Sequence, residues 1–276
     1  MLFEFILRPL EEVQPWGDDE PTLHWFGLTD GWCWWNVGSQ QLFRNSQAWL
    51  DRWAGKYPKL ALDPPYVDYQ VSRPWEDLLS CLPDILDPVP DDLIERAYNT
   101  EKWQKFQDAA SAWVEENEDE KNWDLKDLQD AAFRWWWNRG WNSGYLRCPP
   151  EIWLWSQGET FHIRWDNRDV KDDGVLAWEA TYGEIAMPVA EFVEEVKSFN
   201  DRLMSQMAER VKAVRVGALR PDITINPAYL AQDEQDRPLQ LTAALARVPE
   251  QQDWDKIREA LATLEQMCYN NGVEGL

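Results

Sequence analysis

Histidine and glycine are scarce in this chain, and their scarcity argues against most catalytic centres that a short motif reveals. The chain of 276 residues has 2 His and 13 Gly. It contains no Gly-x-Gly-x-x-Gly, no Walker loop and no Gly-x-Ser-x-Gly, the motifs that cradle phosphates or expose a serine nucleophile. We therefore assign no cofactor and no catalytic residue, and the sequence favours a binding role over an enzymatic one.

Clustered cysteine is also missing. Cys33, Cys81, Cys148 and Cys268 stand singly, without a Cys-x-x-Cys motif or a neighbouring histidine. A zinc site needs several such ligands at short spacing, so we expect no bound metal. Because disulfides belong to oxidising compartments, four reduced thiols are the simpler interpretation.

Export and membrane signals are missing too. The opening residues MLFEFILRPLEE place Glu4 among the apolar side chains and offer no small-residue cleavage site, unlike a secretory signal. No uncharged apolar run approaches the roughly 18 residues that a membrane-spanning helix needs. We expect a cytoplasmic protein that does not bind membranes.

Basic residues are the minority among the charges. The 27 Lys and Arg face 50 Asp and Glu, which leaves a net charge of −23. Phosphate backbones and anionic lipid surfaces repel such a chain, so nucleic acid and membrane partners are disfavoured. A basic protein is the macromolecular partner that suits this charge, and we leave the oligomeric state open.

Tryptophan is what the chain has in excess, with 20 copies. Trp135, Trp136 and Trp137 stand in a helical stretch, where successive side chains point about 100° apart. Leu128 and Ala132 form one stripe with the first two rings, so Trp137 is predicted to face outward. Most other rings suit an aromatic core, whereas an outward tryptophan suits an anchor for a protein partner or a platform for a sugar ring.

The apolar pattern predicts antiparallel strands in two places. Residues 1–44 have the pattern of a meander, with Thr29-Asp30-Gly31 as a hairpin turn between two apolar runs. Residues 151–183 have the pattern of a second meander. We expect both meanders to join in one antiparallel sheet.

Helical spacing dominates the rest of the chain. Residues 91–146 are predicted as acidic helices joined by a charged link at 115–120, after a proline-rich loop at 83–90. Apolar residues at steps of three and four over 188–214 predict one long helix.

These elements predict an α+β fold, in which the antiparallel sheet packs against several helices and one long helix lies in the second half of the chain. The length suits one large domain or two small ones. We predict a single domain over 1–276, with a division into 1–148 and 149–276 as the alternative.

The densest acidic stretch lies in the helical region. Residues 91–130 hold 13 acidic and 5 basic residues. Five of the acidic residues stand almost consecutively: Glu115, Glu116, Glu118, Asp119 and Glu120. The plain interpretation of this run is a solvated link between helices. The alternative is a recognition face for a basic partner, with Trp137 as its anchor, and these six residues are our candidate binding site.

Two histidines and three aspartates remain as candidates for chemistry. His24 and His162 stand in strand patterns beside aromatic residues, and we interpret both as solvent-facing or hydrogen-bonded strand histidines. Asp30, Asp166 and Asp169 lie at predicted strand ends, where they are candidates for a carboxylate pair of the kind that glycosidases use.

Two groups of motifs point to one family. LRPLEEVQPWG with LHWFGLTDGWCWWNVG, and IWLWSQGETFHIRW with AEFVEEVKSFNDRLMSQMAERV, are similar to an uncharacterised family of bacterial proteins of unknown function. The similarity is best over 1–44 and 150–215. The resemblance implies no reaction, no cofactor and no site residue.

Three functions are compatible with these features. The first is a binding protein that neutralises or sequesters a basic protein, such as the immunity partner of a bacterial toxin. The second is a component of a bacterial defence system or another multi-protein assembly. The third is a protein that binds carbohydrate or acts on it through carboxylates.

Overall fold

A computed structural model describes residues 1–17, 19–56, 63–117, 124–247 and 252–270. Within them the α-helices are α1 (Gln47–Lys56), α2 (Ser72–Leu86), α3 (Asp91–Tyr98), α4 (Thr100–Asn117), α5 (Asp124–Trp137), α6 (Val189–Arg215), α7 (Pro227–Ala246) and α8 (Trp254–Asn270). The strands are β1 (Phe3–Leu7), β2 (Thr22–Leu23), β3 (Asp30–Val37), β4 (Gln40–Leu42), β5 (Val67–Gln70), β6 (Ile152–Gln157), β7 (Thr160–Asp166), β8 (Lys171–Asp172), β9 (Val175–Leu176), β10 (Tyr182–Pro188) and β11 (Thr224–Ile225).

The strands form two main antiparallel sheets. In the first sheet, β3 pairs with β1 along one edge and with β4 and β5 along the other. In the second sheet the order is β10-β7-β6. The α+β class and the long helix α6 are thereby confirmed.

The expected merger of the two meanders into one sheet is wrong for the part of the chain that the structure describes. The rings of Phe3 in the first sheet and Phe161 in the second both contact Phe192 of α6, with centroids 6.2 and 3.5 Å away. The two sheets therefore share a helix instead of a strand edge.

The predicted hairpin at Thr29-Asp30-Gly31 is also wrong. Gly27–Thr29 form a short 3-10 helix, and the next two residues begin β3, whose partner is β1. A Cβ on Gly31 would lie 2.2 Å from the carbonyl oxygen of Ile6. The glycine is therefore required for the close approach of two strands and not for a turn. The tight turns lie elsewhere, at Gly38 and Gly158, which have φ of +63° and +57°.

Two helix ends differ from the predicted ones. Helix α2 continues through Pro83 to Leu86, because the buried side chains of Leu82 and Ile85 hold it against the core. Helix α5 stops at Trp137 and does not reach residue 146, because the backbone beyond it pairs with β6. The N–H of Trp141 donates to the carbonyl of Ile152 over 2.7 Å.

The buried side chains form two clusters that meet at β6. The sheet core combines apolar residues of both sheets with α2, α6 and α7, and it includes Leu154. The helical core combines α3, α4, α5 and α8, and it includes Trp155 from the opposite face of the same strand. The sheet core contains residues from both halves of the chain. The assignment of a single domain over 1–276 stays a prediction.

Arg139 is fully buried where helices α2 and α5 end. Its guanidinium donates hydrogen bonds to the carbonyls of Trp135 and, over 2.9 Å, of Asp87. Helix C-termini carry unpaired carbonyls and a partial negative charge, which a buried cation can satisfy. Burial nevertheless lowers the pKa of Arg139 to about 10.

Candidate functional site

The three consecutive tryptophans divide as their helical spacing predicts. The exposed fractions are 1 % for Trp135, 7 % for Trp136 and 44 % for Trp137. The Trp137 ring contacts the buried Phe133 ring with the centroids 5.6 Å apart. Trp137 is therefore supported on one side and open to solvent on the other.

The acidic run lies partly in a helix. Glu115 and Glu116 are exposed residues of the last turn of α4, so the predicted link at 115–120 is wrong for these two. The helix extends this far because Val114, one position earlier, is buried in the helical core. Glu118, Asp119 and Glu120 lie outside the described residues.

The structure does not bring these acidic residues to Trp137. Helices α4 and α5 pack side by side, and the Gln129 amide donates a hydrogen bond to the Ser111 hydroxyl over 2.8 Å. This contact, with the ring contacts from Trp103 to Phe133 and Trp135, sets an antiparallel register. Glu115 and Glu116 consequently lie beside the start of α5, whereas Trp137 lies at its end, roughly 18 Å away along the helix.

A different group of side chains is connected to Trp137 through the backbone. The backbone of Gly140, whose N–H donates to the Trp137 carbonyl over 3.1 Å, forms a β-bridge with Trp153. Trp153 is the cross-strand neighbour of Arg164. We call the surface that begins here the aromatic–arginine face, and its members are Tyr98, Trp137, Trp153, Arg164, Arg168 and Tyr182.

Arginines hold the two tyrosines of this face in place. The Arg164 guanidinium lies over the Tyr98 ring at 4.6 Å and over the Tyr182 ring at 6.0 Å. Arg168 lies over Tyr182 at 4.6 Å. Arg164 also donates a hydrogen bond to the Tyr98 carbonyl over 2.9 Å. The tyrosines are nevertheless 51 % and 47 % exposed, so ordered rings remain open to solvent.

A polar cluster borders the face. The Tyr98 hydroxyl donates to one carboxylate oxygen of Glu184 over 3.0 Å, and Nδ1 of His162 lies 3.2 Å from the other. The hydrogen bond and the negative charge of Glu184 raise the pKa of Tyr98. His162 stacks on Trp155 with the rings 4.8 Å apart and nearly parallel. It is thus a hydrogen-bonded strand histidine, as interpreted from its pattern.

The other histidine and the three aspartates have structural partners. His24 comes directly after β2 and lies outside the strands, so its assignment as a strand histidine is wrong. Its ring packs against the Trp16 ring at 4.3 Å, and burial lowers its pKa. Asp30 forms an ion pair with Arg8 over 2.9 Å. Two further pairs complete the set: Asp166 with Arg168 over 2.6 Å, and Asp169 with Lys171 over 3.4 Å. Each aspartate is thus engaged by a cation.

The hydrogen bonds from Arg168 lower the pKa of Asp166, the opposite of what a carboxylic acid catalyst requires.

Among the described residues, no group of three or more His, Cys, Asp or Glu side chains is placed to hold a metal ion. All four cysteines carry free thiols. None of the described helices combines the length and the apolar character needed to cross a bilayer.

Sequence reasoning missed Tyr98, Arg164, Arg168 and Tyr182. A partial signal existed, because His162 and Arg164 alternate with the buried Ile163 and Trp165 in β7 and so share the opposite face. No local pattern shows that the end of α3 packs on that face.

Comparison with known proteins places the chain in a family. The chain belongs to DUF5984, a family of unknown function, and the match covers residues 2–260. The expectation of an uncharacterised family is therefore confirmed. No curated protein and no solved structure matches the chain.

Proposed function

We propose that this protein binds and sequesters a basic protein partner, with Trp137 as the central anchor of the aromatic–arginine face. The observation that carries this proposal is the 44 % exposure of Trp137, together with two tyrosines of the same face that are also about half exposed. Tryptophan, tyrosine and arginine are the residues most enriched among the energetic hot spots of protein interfaces.

The order of the face supports a binding role. Because Arg164 and Arg168 lie over Tyr98 and Tyr182, these side chains lose little further freedom when a partner covers them. Ordering of side chains is a major cost of association, so a preordered patch gains affinity.

The acidic helices supply the electrostatic part of the proposal. An interface of ordinary size covers about 800 Å² on each partner, which corresponds to a patch roughly 16 Å in radius. Glu115 and Glu116, roughly 18 Å from Trp137 along the helix, lie just beyond this radius, at the border of the rim. Rim charges act mainly on the rate of association and its salt dependence.

The finer identity of the partner is part of the proposal. An immunity protein that neutralises a basic bacterial toxin in the cytoplasm, where all four thiols stay reduced, fits the charge and the exposed anchor. A role inside a bacterial defence system or another assembly uses the same face. A sugar-binding role remains the second candidate, because exposed Trp137 also suits stacking on a sugar ring.

Surface plasmon resonance against the partner recovered by affinity capture tests the proposal. Rising salt should slow association strongly and change dissociation less, because salt screens exposed charges over about 8 Å. Replacing Glu115, Glu116, Glu118, Asp119 and Glu120 by Gln or Asn should also slow association. Trp137→Ala should speed dissociation roughly tenfold or more.

Trp16→Ala is the matched control. Trp16 is 39 % exposed, and its ring contacts His24 and Phe26, away from the aromatic–arginine face. This variant should bind like the wild type. Association that is indifferent to salt and to the five acidic substitutions, with equal dissociation from both tryptophan variants, would refute the proposal. Binding on a glycan array that Trp137→Ala abolishes would favour the sugar-binding alternative.

A further inference from the structure

A small cavity with aromatic walls lies on the outer face of the first sheet, beneath α1. Its volume is about 170 Å³. The aromatic walls come from Trp32 of β3, Trp49 of α1, Tyr66 before β5 and Trp178. The cavity is separate from the aromatic–arginine face, and nothing in the proposed function uses it.

Two wall residues, Trp32 and Trp49, have an indole N–H without an acceptor in the described part of the chain. Trp32 is 93 % buried, being only 7 % exposed. Within the described part of the chain, its indole N–H has no acceptor. Two other polar groups of the wall are satisfied: the Trp178 N–H donates to the Cys148 carbonyl over 3.1 Å, and the Tyr66 hydroxyl donates to Gln41 over 3.2 Å. A buried donor without a partner is costly, and a ligand with an acceptor atom would relieve that cost.

The charges around the cavity are already paired. Arg8 lies over the Trp32 ring at 4.3 Å and bonds Asp68 over 2.6 Å. Arg147 makes two hydrogen bonds to Asp172, over 2.8 and 3.0 Å. Arg8 is also paired with Asp30, so a charged ligand of either sign would have to compete with these existing ion pairs. The site suits a neutral molecule.

We propose that this cavity binds a neutral molecule with a single aromatic ring and a hydrogen-bond acceptor that receives the Trp32 N–H. The size supports one ring, since a buried cavity of about 150 Å³ accommodates benzene. Nucleotides and other drug-sized ligands need pockets of about 300 Å³ or more, so the volume favours a smaller ligand. Stacking against the tryptophan walls supplies the remaining attraction.

Benzamide, pyridine and phenol test the proposal as probes, with toluene as a ring without an acceptor and tetramethylammonium as a cation. Isothermal titration calorimetry and ligand-observed NMR measure binding to the full chain. At least one acceptor-bearing probe should bind more tightly than toluene and tetramethylammonium. Trp32→Phe keeps an aromatic ring and removes the N–H, so it should weaken that probe roughly fivefold to tenfold and leave toluene unchanged.

Two substitutions that fill the cavity provide an independent check. Ala177→Leu and Leu50→Trp each enlarge a residue of the wall, and one folded variant of the two is sufficient for the test. Each should abolish binding of the probe, whereas Trp16→Phe should not change it. Alkylation of Cys148, another wall residue, should slow when the probe is bound.

Three results would overturn the proposal. The first is that none of the three acceptor-bearing probes binds. The second is that a probe binds equally well to the wild type and to a folded, filled variant. The third is that tetramethylammonium binds more tightly than every neutral probe, which would make the cavity a cation site.

Discussion

The Tyr98 hydroxyl donates a hydrogen bond to Glu184 over 3.0 Å, and this contact joins the end of α3 to the edge strand β10. The backbone carbonyl of Tyr98 accepts a second hydrogen bond from Arg164 of β7. The two contacts fix an exposed ring at the junction of the helical core and the second sheet. The aromatic–arginine face therefore depends on how the two parts of the fold pack together.

The Glu184 contact predicts a change in the titration of Tyr98. Glu184→Gln removes the negative charge that opposes ionisation of the hydroxyl, so the pKa of Tyr98 should fall toward its ordinary value. NMR of ring-labelled tyrosine over a pH series measures this shift. Glu179→Gln, which removes the partner of Arg44, is the matched control and should leave Tyr98 unchanged. An unaltered titration in Glu184→Gln would show that the contact does not form.

Because Arg139 is fully buried and hydrogen-bonded to two backbone carbonyls, we predict a large loss of stability when its guanidinium is removed. Arg139→Met keeps a long apolar chain but leaves the carbonyls of Trp135 and Asp87 without this donor. Each buried group left unpaired costs about 1–3 kcal/mol, so the free energy of unfolding should fall by about 2 kcal/mol or more. Urea denaturation checks the value, with Arg134→Met on the exposed side of α5 as the control. Equal stability of the two variants would contradict the structural role.

Gly31 and Gly55 predict opposite outcomes for the same substitution. Gly31→Ala places a methyl group 2.2 Å from the Ile6 carbonyl oxygen, which should destabilise the first sheet by about 1–3 kcal/mol or prevent folding. Gly55→Ala meets no atom within 4 Å in α1 and should be neutral or stabilising by up to about 1 kcal/mol. Thermal unfolding of both variants tests the pair. A tolerant Gly31 would contradict the close pairing of β1 and β3.

Asp77 predicts a pH dependence of stability. Burial raises the pKa of this carboxyl to about 6, despite Arg73 at 3.1 Å. The folded state therefore holds a proton that the unfolded state has released above its lower, ordinary pKa, so this group's contribution to stability is lost as the pH rises through about 6. Between about pH 5 and pH 7 the loss should be about 1 kcal/mol.

Urea unfolding at several pH values in that interval measures the effect. Asp77→Asn cannot titrate, so its stability should decline less with pH than that of the wild type. Asp169→Asn, whose side chain is 97 % exposed, is the control and should follow the wild type. Parallel curves for all three proteins would contradict a raised pKa at Asp77.

The parts of the fold that were predictable from the sequence rest on local periodicity. The apolar stripe of α6 and the outward position of Trp137 both follow from helical spacing, because burial on one face repeats along the helix. The hairpin turn predicted at Asp30-Gly31 is wrong because Gly31 is needed for a close contact with Ile6, 25 positions earlier in the chain. The dipeptide alone does not distinguish a turn from such a contact. Long-range packing set the outcome there.

The candidate site was only partly predictable for the same reason. Trp137 was identifiable, but Tyr98 and Tyr182 come from a helix end and an edge strand that meet only in the folded chain. The acidic run was proposed as part of the site because its charge density is high. In the structure, Glu115 and Glu116 lie at the opposite end of the α4–α5 pair from Trp137. Charge density in a sequence does not specify which apolar anchor it accompanies.

Quantitative affinity capture from the organism that encodes the chain tests the central claim most directly. The baits are the wild type, Trp137→Ala and the control Trp16→Ala, each compared at low and high salt by mass spectrometry. The account predicts one basic protein that the wild type and Trp16→Ala recover equally, that Trp137→Ala loses, and whose recovery falls as salt rises. Equal recovery of the same proteins by all three baits, or a recovered partner that is acidic, would contradict it.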